Sequence, residues 1–207
     1  MFGSEWDLLD DVFAPPFSRS TGVAMELLGL GSERSPQKGS FLEIGCGTGV
    51  VAVTAAMLGC DRVVAADINP EAVRNTALNA RRHQVEDRLR AVHSNVFDDL
   101  DPQERFDVVY WHSNFVLGPE DLTYESVHDQ AYVDAGYRSH TRYLAGATDR
   151  LAPGGRALLH FSDRGDIPRL HELAHRLGRE LHMVAGRADR DGEETIAHIL
   201  YEVRATA

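Results

Sequence analysis

The sequence predicts an α/β domain, a three-layer sandwich in which helices cover both faces of a mostly parallel sheet. Three observations carry this. Short strand-like runs alternate with amphipathic helical runs from Phe41 onward, the pattern that builds a parallel sheet with right-handed crossovers. The first run, FLEI, breaks into a loop with glycine at every second position, Gly45, Gly47 and Gly49, followed by the helical run VVAVTAAMLG. The next helix is announced by Asn69 as cap, Pro70 at the first helical position and Glu71 in the first turn.

Taken in order, residues 1–16 hold the acidic, aromatic segment EWDLLDDVFAPP, read as a short helix followed by an extended arm. Ser18 to Leu30 is helical, capped by Ser20 or Thr21, with Val23, Leu27, Leu28 and Leu30 on its apolar face. Ser32 to Gly39 is a polar connector. Strands are expected at Phe41–Ile44, Arg62–Ile68, Leu89–Val92, Phe106–Trp111, Arg156–Phe161, Leu181–Ala185 and Thr195–Val203, the last reached through a hairpin at RADRDGEE. Helices are expected at Thr48–Leu58, Pro70–His83 and Ile167–Arg179, and Pro153, Gly154 and Gly155 form the turn into the fifth strand. Val116 to Leu151 shows no strand pattern and resumes a helix at RSHTRYLAGATDRL.

The glycine loop has two candidate ligands. A dinucleotide fingerprint needs its third small residue one position later than Gly49, where Val50 stands, and Glu43 at the end of the strand repels a pyrophosphate. A cationic ligand is attracted by that carboxylate. The pattern E-x-G-x-G-x-G resembles the first motif of class I S-adenosylmethionine-dependent methyltransferases. The resemblance implies a Rossmann-like fold, a seven-stranded sheet with one antiparallel strand near its end, and S-adenosylmethionine as methyl donor. It covers roughly Val12 to Val203, and the whole chain is expected to be one domain, with 1–39 as arm and helix and 116–150 as an acceptor-facing insertion.

In an open α/β sheet the ligand lies off the carboxyl ends of the strands. The donor-binding candidates are therefore Glu43, Gly45, Cys46, Gly47, Gly49, Asp67, Ile68, Asn95, Val96 and His112. Asp67 closes the second strand 24 residues after Glu43 and is placed to accept both ribose hydroxyls, with Ile68 packing on adenine. Asn95 stands where the resembled family carries an acid for the adenine amino group. The segment FDVVYWHSNF departs from the family pattern: His112, Ser113, Asn114 and Phe115 occupy the place of Asn-Pro-Pro-Tyr in glutamine and adenine methyltransferases. His112 is the candidate base, because its ordinary pKa is near neutrality, and Asn114 the candidate orienting group. Phe115, Tyr132, Tyr137, His140 and Phe161 are candidate acceptor-binding residues, with Tyr124, His128 and Tyr143 in the same aromatic stretch.

Composition bounds the function. A formal charge of −11 disfavours nucleic acid as the main partner, and no 18-residue apolar run predicts a membrane span. Two cysteines and no signal-like start predict a reducing, cytoplasmic setting. About 40 residues precede the first motif, too few for a helical protein-recognition domain, which favours a small-molecule acceptor modified at nitrogen or oxygen. The alternatives are a protein acceptor of the glutamine type, transfer of the aminocarboxypropyl group, and an inactive donor-binding subunit. HELAH, His171 to His175, fits a zinc motif locally. However, Leu170, Leu173, Ala174 and Leu177 form that helix's apolar stripe and put both histidines on its flank or outer face, so no metal is expected.

Overall fold

The computed structural model describes residues 3–15, 19–30 and 39–206. The connector at 32–38, Pro16 and the expected helix start at Ser18 lie outside them. The strands are β1 (Ser40–Ile44), β2 (Arg62–Asp67), β3 (Leu89–His93), β4 (Phe106–His112), β5 (Val116–Gly118), β6 (Val133–Ala135), β7 (Leu151–Ser162), β8 (Arg179–Asp191) and β9 (Glu194–Ala205). The helices are α1 (Arg19–Leu28), α2 (Val50–Met57), α3 (Pro70–Arg82), α4 (Arg138–Gly146) and α5 (Ile167–Arg176).

Seven strands form one sheet in the order β3-β2-β1-β4-β7-β9-β8. β3, β2, β1, β4 and β7 are mutually parallel, and β9 runs antiparallel to both β7 and β8. The strand order reverses at β1 and β4, so their carboxyl ends open a crevice there. Alternation along each strand separates two cores. Leu42, Ile44, Val64, Ala66, Val109 and Leu159 face α4 and α5. Phe41, Val63, Ala65, Tyr110, Leu158 and Leu200 face α2 and the buried Met25 of α1. Among the described residues no helix is long and apolar enough to cross a membrane.

Three elements differ from expectation. Residues 3–15 form no α-helix; they run as an irregular arm whose backbone is held by asparagines of α3. Asn75 accepts from Leu9 N (2.8 Å) and Asn79 from Asp7 N (2.8 Å), while both side-chain amides donate to the Asp7 carbonyl. The acidic residues that look like a helix start instead meet Arg82, which bonds Asp7 through two nitrogens. Secondly, the stretch after β4 contains a short parallel pair, β5 with β6, each strand of which is too brief to show a period. Thirdly, β7 and β8 are longer than expected. Pro153–Gly155 lies within β7, beside a register shift against β4, and the RADR stretch is paired strand, leaving the turn to Gly192 at φ +64°.

Candidate active site

β1 brings Glu43 to the foot of α2. The helix is capped by Gly49, which has no side chain to accept from the free backbone amides of the first turn. Glu43 does this from outside, its Oε2 accepting from Ala52 N at 2.9 Å. The side chain is 2% exposed, and burial, reinforced by the Asp67 charge, pushes its pKa well above the usual carboxylate range. Asp67 at the end of β2 ties down the loop: Oδ2 accepts from Gly47 N (2.8 Å) and Oδ1 from Asn69 N (2.9 Å). Burial raises its pKa against those two bonds. Two carboxylate oxygens offer about four acceptor sites, so capacity remains on the side that faces the cavity. Asn69 caps α3 through Glu71 N, as its sequence context predicts.

The loop glycines have different neighbours. A Cβ on Gly49 (φ +81°) would lie 3.0 Å from Thr76 Cα and 2.7 Å from its hydroxyl, whereas a Cβ on Gly47 (φ +53°) would meet nothing within 4 Å. Gly49 is thus glycine because the helix α3 is there, and Gly47 faces open space in the cavity. Cys46 is buried, with its thiol 3.3 Å from the Thr76 hydroxyl and its pKa raised by burial, so it is a packed thiol rather than a nucleophile.

One cavity of about 540 Å³ opens over this loop. Glu43, Gly45, Cys46, Gly47, Asp67, Ile68, Asn95, Val96 and His112 all line it; Gly49 does not. Val96 holds φ +58°, an uncommon backbone for a β-branched residue. Ser94 fixes it there, donating to the Val96 carbonyl (3.2 Å), accepting from Asp99 N (3.1 Å) and itself anchored by its N–H on the Asp67 carbonyl (2.8 Å). Ser94 also lines the cavity, a role its sequence context as a plain turn residue conceals.

The acceptor half is built by the end of β4 and the β5–β6 excursion. Asn114 Nδ2 donates to the Gln130 carbonyl at 2.6 Å, which sets the orientation of its amide and leaves Oδ1 buried with no partner. His112 lines the cavity, but burial, with a smaller contribution from His198, pulls its pKa down to about 4. It is therefore neutral at pH 7 and a much weaker base than the ordinary imidazole assumed from sequence. Phe115 and Tyr132 line the cavity as expected, and Phe13 of the arm meets Tyr132 across the mouth, ring centroids 5.7 Å apart.

The other aromatic candidates do not reach the cavity wall. Tyr137, His140 and Phe161 are at most 1% exposed. Tyr137 OH donates to the Phe115 carbonyl and accepts from Asp166 N, and His140 Nδ1 pairs with Asp134 Oδ2 at 2.7 Å beneath Trp111. Tyr124 and Tyr143 likewise spend their hydroxyls on backbone carbonyls. These residues brace the wall; His128, of the same aromatic stretch, lines it, as do Trp111 and Phe13, which were not anticipated. The HELAH histidines are exposed on α5, and among the described residues no group of three or more His, Cys, Asp or Glu is arranged to hold a metal.

Sheet order, glycine loop and the two carboxylates give the chain the fold of the class I S-adenosylmethionine-dependent methyltransferases and a loop similar to their donor motif. More narrowly, residues 21–116 match the family model of ribosomal protein L11 methyltransferase (PrmA). A ribosomal protein L11 methyltransferase of Alteromonas mediterranea is 43% identical over 81 residues, 39% of this chain and 25% of that protein. A bifunctional methyltransferase of Rickettsia felis is 28% identical over 141 residues, 63% of this chain and 26% of that one. The matched stretch is thus about a quarter of the length of either relative. In solved structures, the ribosomal protein L11 methylase of Lactobacillus delbrueckii subsp. bulgaricus superposes with a TM-score of 0.65 at 15% identity, covering 95% of this chain and 82% of that one, a likeness of fold.

Proposed function

We propose that this chain transfers a methyl group from S-adenosylmethionine to a nitrogen of its acceptor, and that the acceptor is a protein side chain or terminus. The observation that carries the nitrogen reading is Asn114. Its amide is fixed by Gln130, and its unpartnered Oδ1, beside the cavity, is suited to accept from an acceptor N–H and leave the nitrogen lone pair turned away from it. The protein acceptor follows from the relatives, whose names describe ribosomal protein L11 methyltransferases, and from Val116, Leu117 and Tyr132, exposed apolar residues on the excursion at the cavity. A small-molecule acceptor is the second reading, favoured by the aromatic wall of Phe13, Phe115 and Tyr132, which suits a small ring or amine. A cytoplasmic setting accords with two buried cysteines that form no disulfide.

When bound, the donor supplies an activated methyl on a cationic sulfur. In this reading Asp67 takes the ribose hydroxyls, Ile68, Asn95 and Val96 hold the base, and the field of Asp67 favours a cationic ligand over a phosphate. That field stabilises the bound ground state, so the rate gain comes from alignment of the acceptor by Asn114 and from water exclusion by Phe13 and Tyr132. His112, neutral, serves as a hydrogen-bonding group for the departing proton.

The test is donor labelled in its methyl group, incubated with ribosomal protein L11 and with a panel of small amines and phenols. Label in protein at nitrogen supports the proposal; label only in a small molecule selects the second reading. Methylthioadenosine in place of S-adenosylhomocysteine overturns methyl transfer, and donor binding with no product points to a non-catalytic subunit.

A further inference from the structure

Three histidines continue one face of the sheet at its carboxyl end. His112 on β4 is paired with His160 on β7, and His198 on β9 is two residues from Leu200, the partner of His160. They extend the rows of Tyr110, Leu158 and Leu200 on the α2-facing side, where apolar residues otherwise pack. His160 is 0% exposed and His198 4%. Burying an imidazole where a phenyl ring would fit carries a desolvation cost unless its nitrogens are used. Here they are used in part: His198 Nδ1 and His160 Nε2 are 3.2 Å apart, with the rings stacked at 5.2 Å and 12°. On its other side His160 meets His112 edge-on, centroids 4.5 Å apart, and His160 Nδ1 is buried with no partner.

The row joins two cavities. His112 lines the main one. His198 lines a second, about 40 Å³, with Arg19, Asp189 and Ile196. That space suits about one water molecule rather than a second ligand. We propose that His160 and His198 form a proton outlet behind His112, leading from the acceptor side of the main cavity to the second one. The proposal rests on the methyl-transfer reading above and adds two residues to it.

The tautomers follow from the orphan atom. A buried N–H without an acceptor is rarer than an under-used lone pair, so His160 keeps its proton on Nε2, donates it to His198 Nδ1 and presents a bare Nδ1. The step balances as follows. The acceptor nitrogen forms the new bond to the methyl carbon, and the carbon–sulfur pair leaves on sulfur. The proton that the acceptor sheds goes to the free nitrogen of His112, whose other proton passes, after a turn of the ring, to His160 Nδ1. His160 gives its Nε2 proton to His198 Nδ1, and His198 releases its Nε2 proton to water. All three rings end neutral with tautomers exchanged. Desolvation keeps all three readily deprotonated. His160 feels only the other two rings, whereas His198 faces Asp163 and Asp189, which favour its protonation, and Arg164 and Arg187, which oppose it, as suits the outer station.

The experiment has two arms on the full chain. In the first, long-range proton–nitrogen NMR on ¹⁵N-histidine protein is expected to show His160 as the Nε2–H tautomer coupled to His198 Nδ1; an Nδ1–H tautomer overturns the outlet whether or not an acceptor is known. In the second, His160→Phe is expected to bind S-adenosylhomocysteine within about twofold of the parent. Its turnover with the acceptor found above falls at least about tenfold at unchanged KM, within the range of proton-transfer effects, and millimolar imidazole restores part of it. Unchanged turnover, or a loss that imidazole does not rescue, overturns the outlet. If the parent methylates nothing, the methyl-transfer reading fails, and the NMR arm still decides the geometry. Should His160→Phe fail to fold, His198→Asn is read by the same criteria.

Discussion

Replacing Gly47 and Gly49 in turn by alanine separates ligand space from packing within one loop. Both residues hold positive φ, which costs an alanine about 1–2 kcal/mol. At Gly47 that is the whole cost to the fold, because its Cβ would meet nothing within 4 Å. At Gly49 the Cβ would lie 3.0 Å from Thr76 Cα, a backbone atom of α3 that cannot turn aside. An overpacking cost of about 1–3 kcal/mol is then added. Each kcal/mol lowers the thermal midpoint of a chain this size by about 2–4 °C. Gly47→Ala is therefore expected to melt about 2–8 °C below the parent and Gly49→Ala about 4–20 °C below. Affinity for S-adenosylhomocysteine runs the other way: Gly47→Ala places a methyl in the donor space and loses at least about tenfold in calorimetry, whereas Gly49→Ala, where still folded, loses less. A Gly47→Ala protein that binds the donor product as tightly as the parent would refute this placement of the ligand.

Four other outcomes are expected. Asp67→Ala weakens donor binding by about 1.5–3 kcal/mol for each ribose bond lost to a charged acceptor; unchanged calorimetric affinity would remove the ribose assignment. Glu43→Gln keeps an acceptor for Ala52 N but removes a carboxyl whose folded pKa is raised. Such a group contributes stability below its unfolded pKa and loses it as pH rises, so this variant gains over the parent between pH 6 and 8 in thermal melts. His112, His140, His160 and His198 are all held below their ordinary pKa by burial. Their unfolded forms take up protons first, so stability falls as pH drops from about 6.5 toward 4, at up to about 1.4 kcal/mol per pH unit per group; a flat urea midpoint over that window would contradict the burial of the row. Asn114→Ala retains the donor but loses turnover by about 10- to 100-fold, measured as S-adenosylhomocysteine release with the identified acceptor, since orientation is what it supplies.

The sheet was legible because each strand ends in a residue type that the next loop needs: Glu43 before glycines, Asp67 before an Asn-Pro cap. Those signals are local, and they located the cavity wall from Glu43 to Val96. The acceptor side was read less well. Tyr137, His140 and Phe161 share composition with Phe115 and Tyr132, and only contacts distant in sequence, the β5–β6 pairing before the first two and the β7–β9 pairing for the third, separate core from wall. His112 was misjudged in strength rather than in place, since its basicity is set by burial and, to a smaller degree, by His198, which lies 86 residues further on. The arm of residues 3–15 looked helical because its acidic residues resemble a first turn; the Asp7 carboxylate is spent on Arg82, and the arm's backbone on the asparagines of α3.

The central claim is that Glu43, the glycine loop and Asp67 select a cationic sulfonium nucleoside. Calorimetric titration of the full chain with S-adenosylmethionine and, separately, NAD tests it most directly. One S-adenosylmethionine bound per chain, with no heat from NAD at the same concentration, is the expected result. Binding of NAD without S-adenosylmethionine would contradict it.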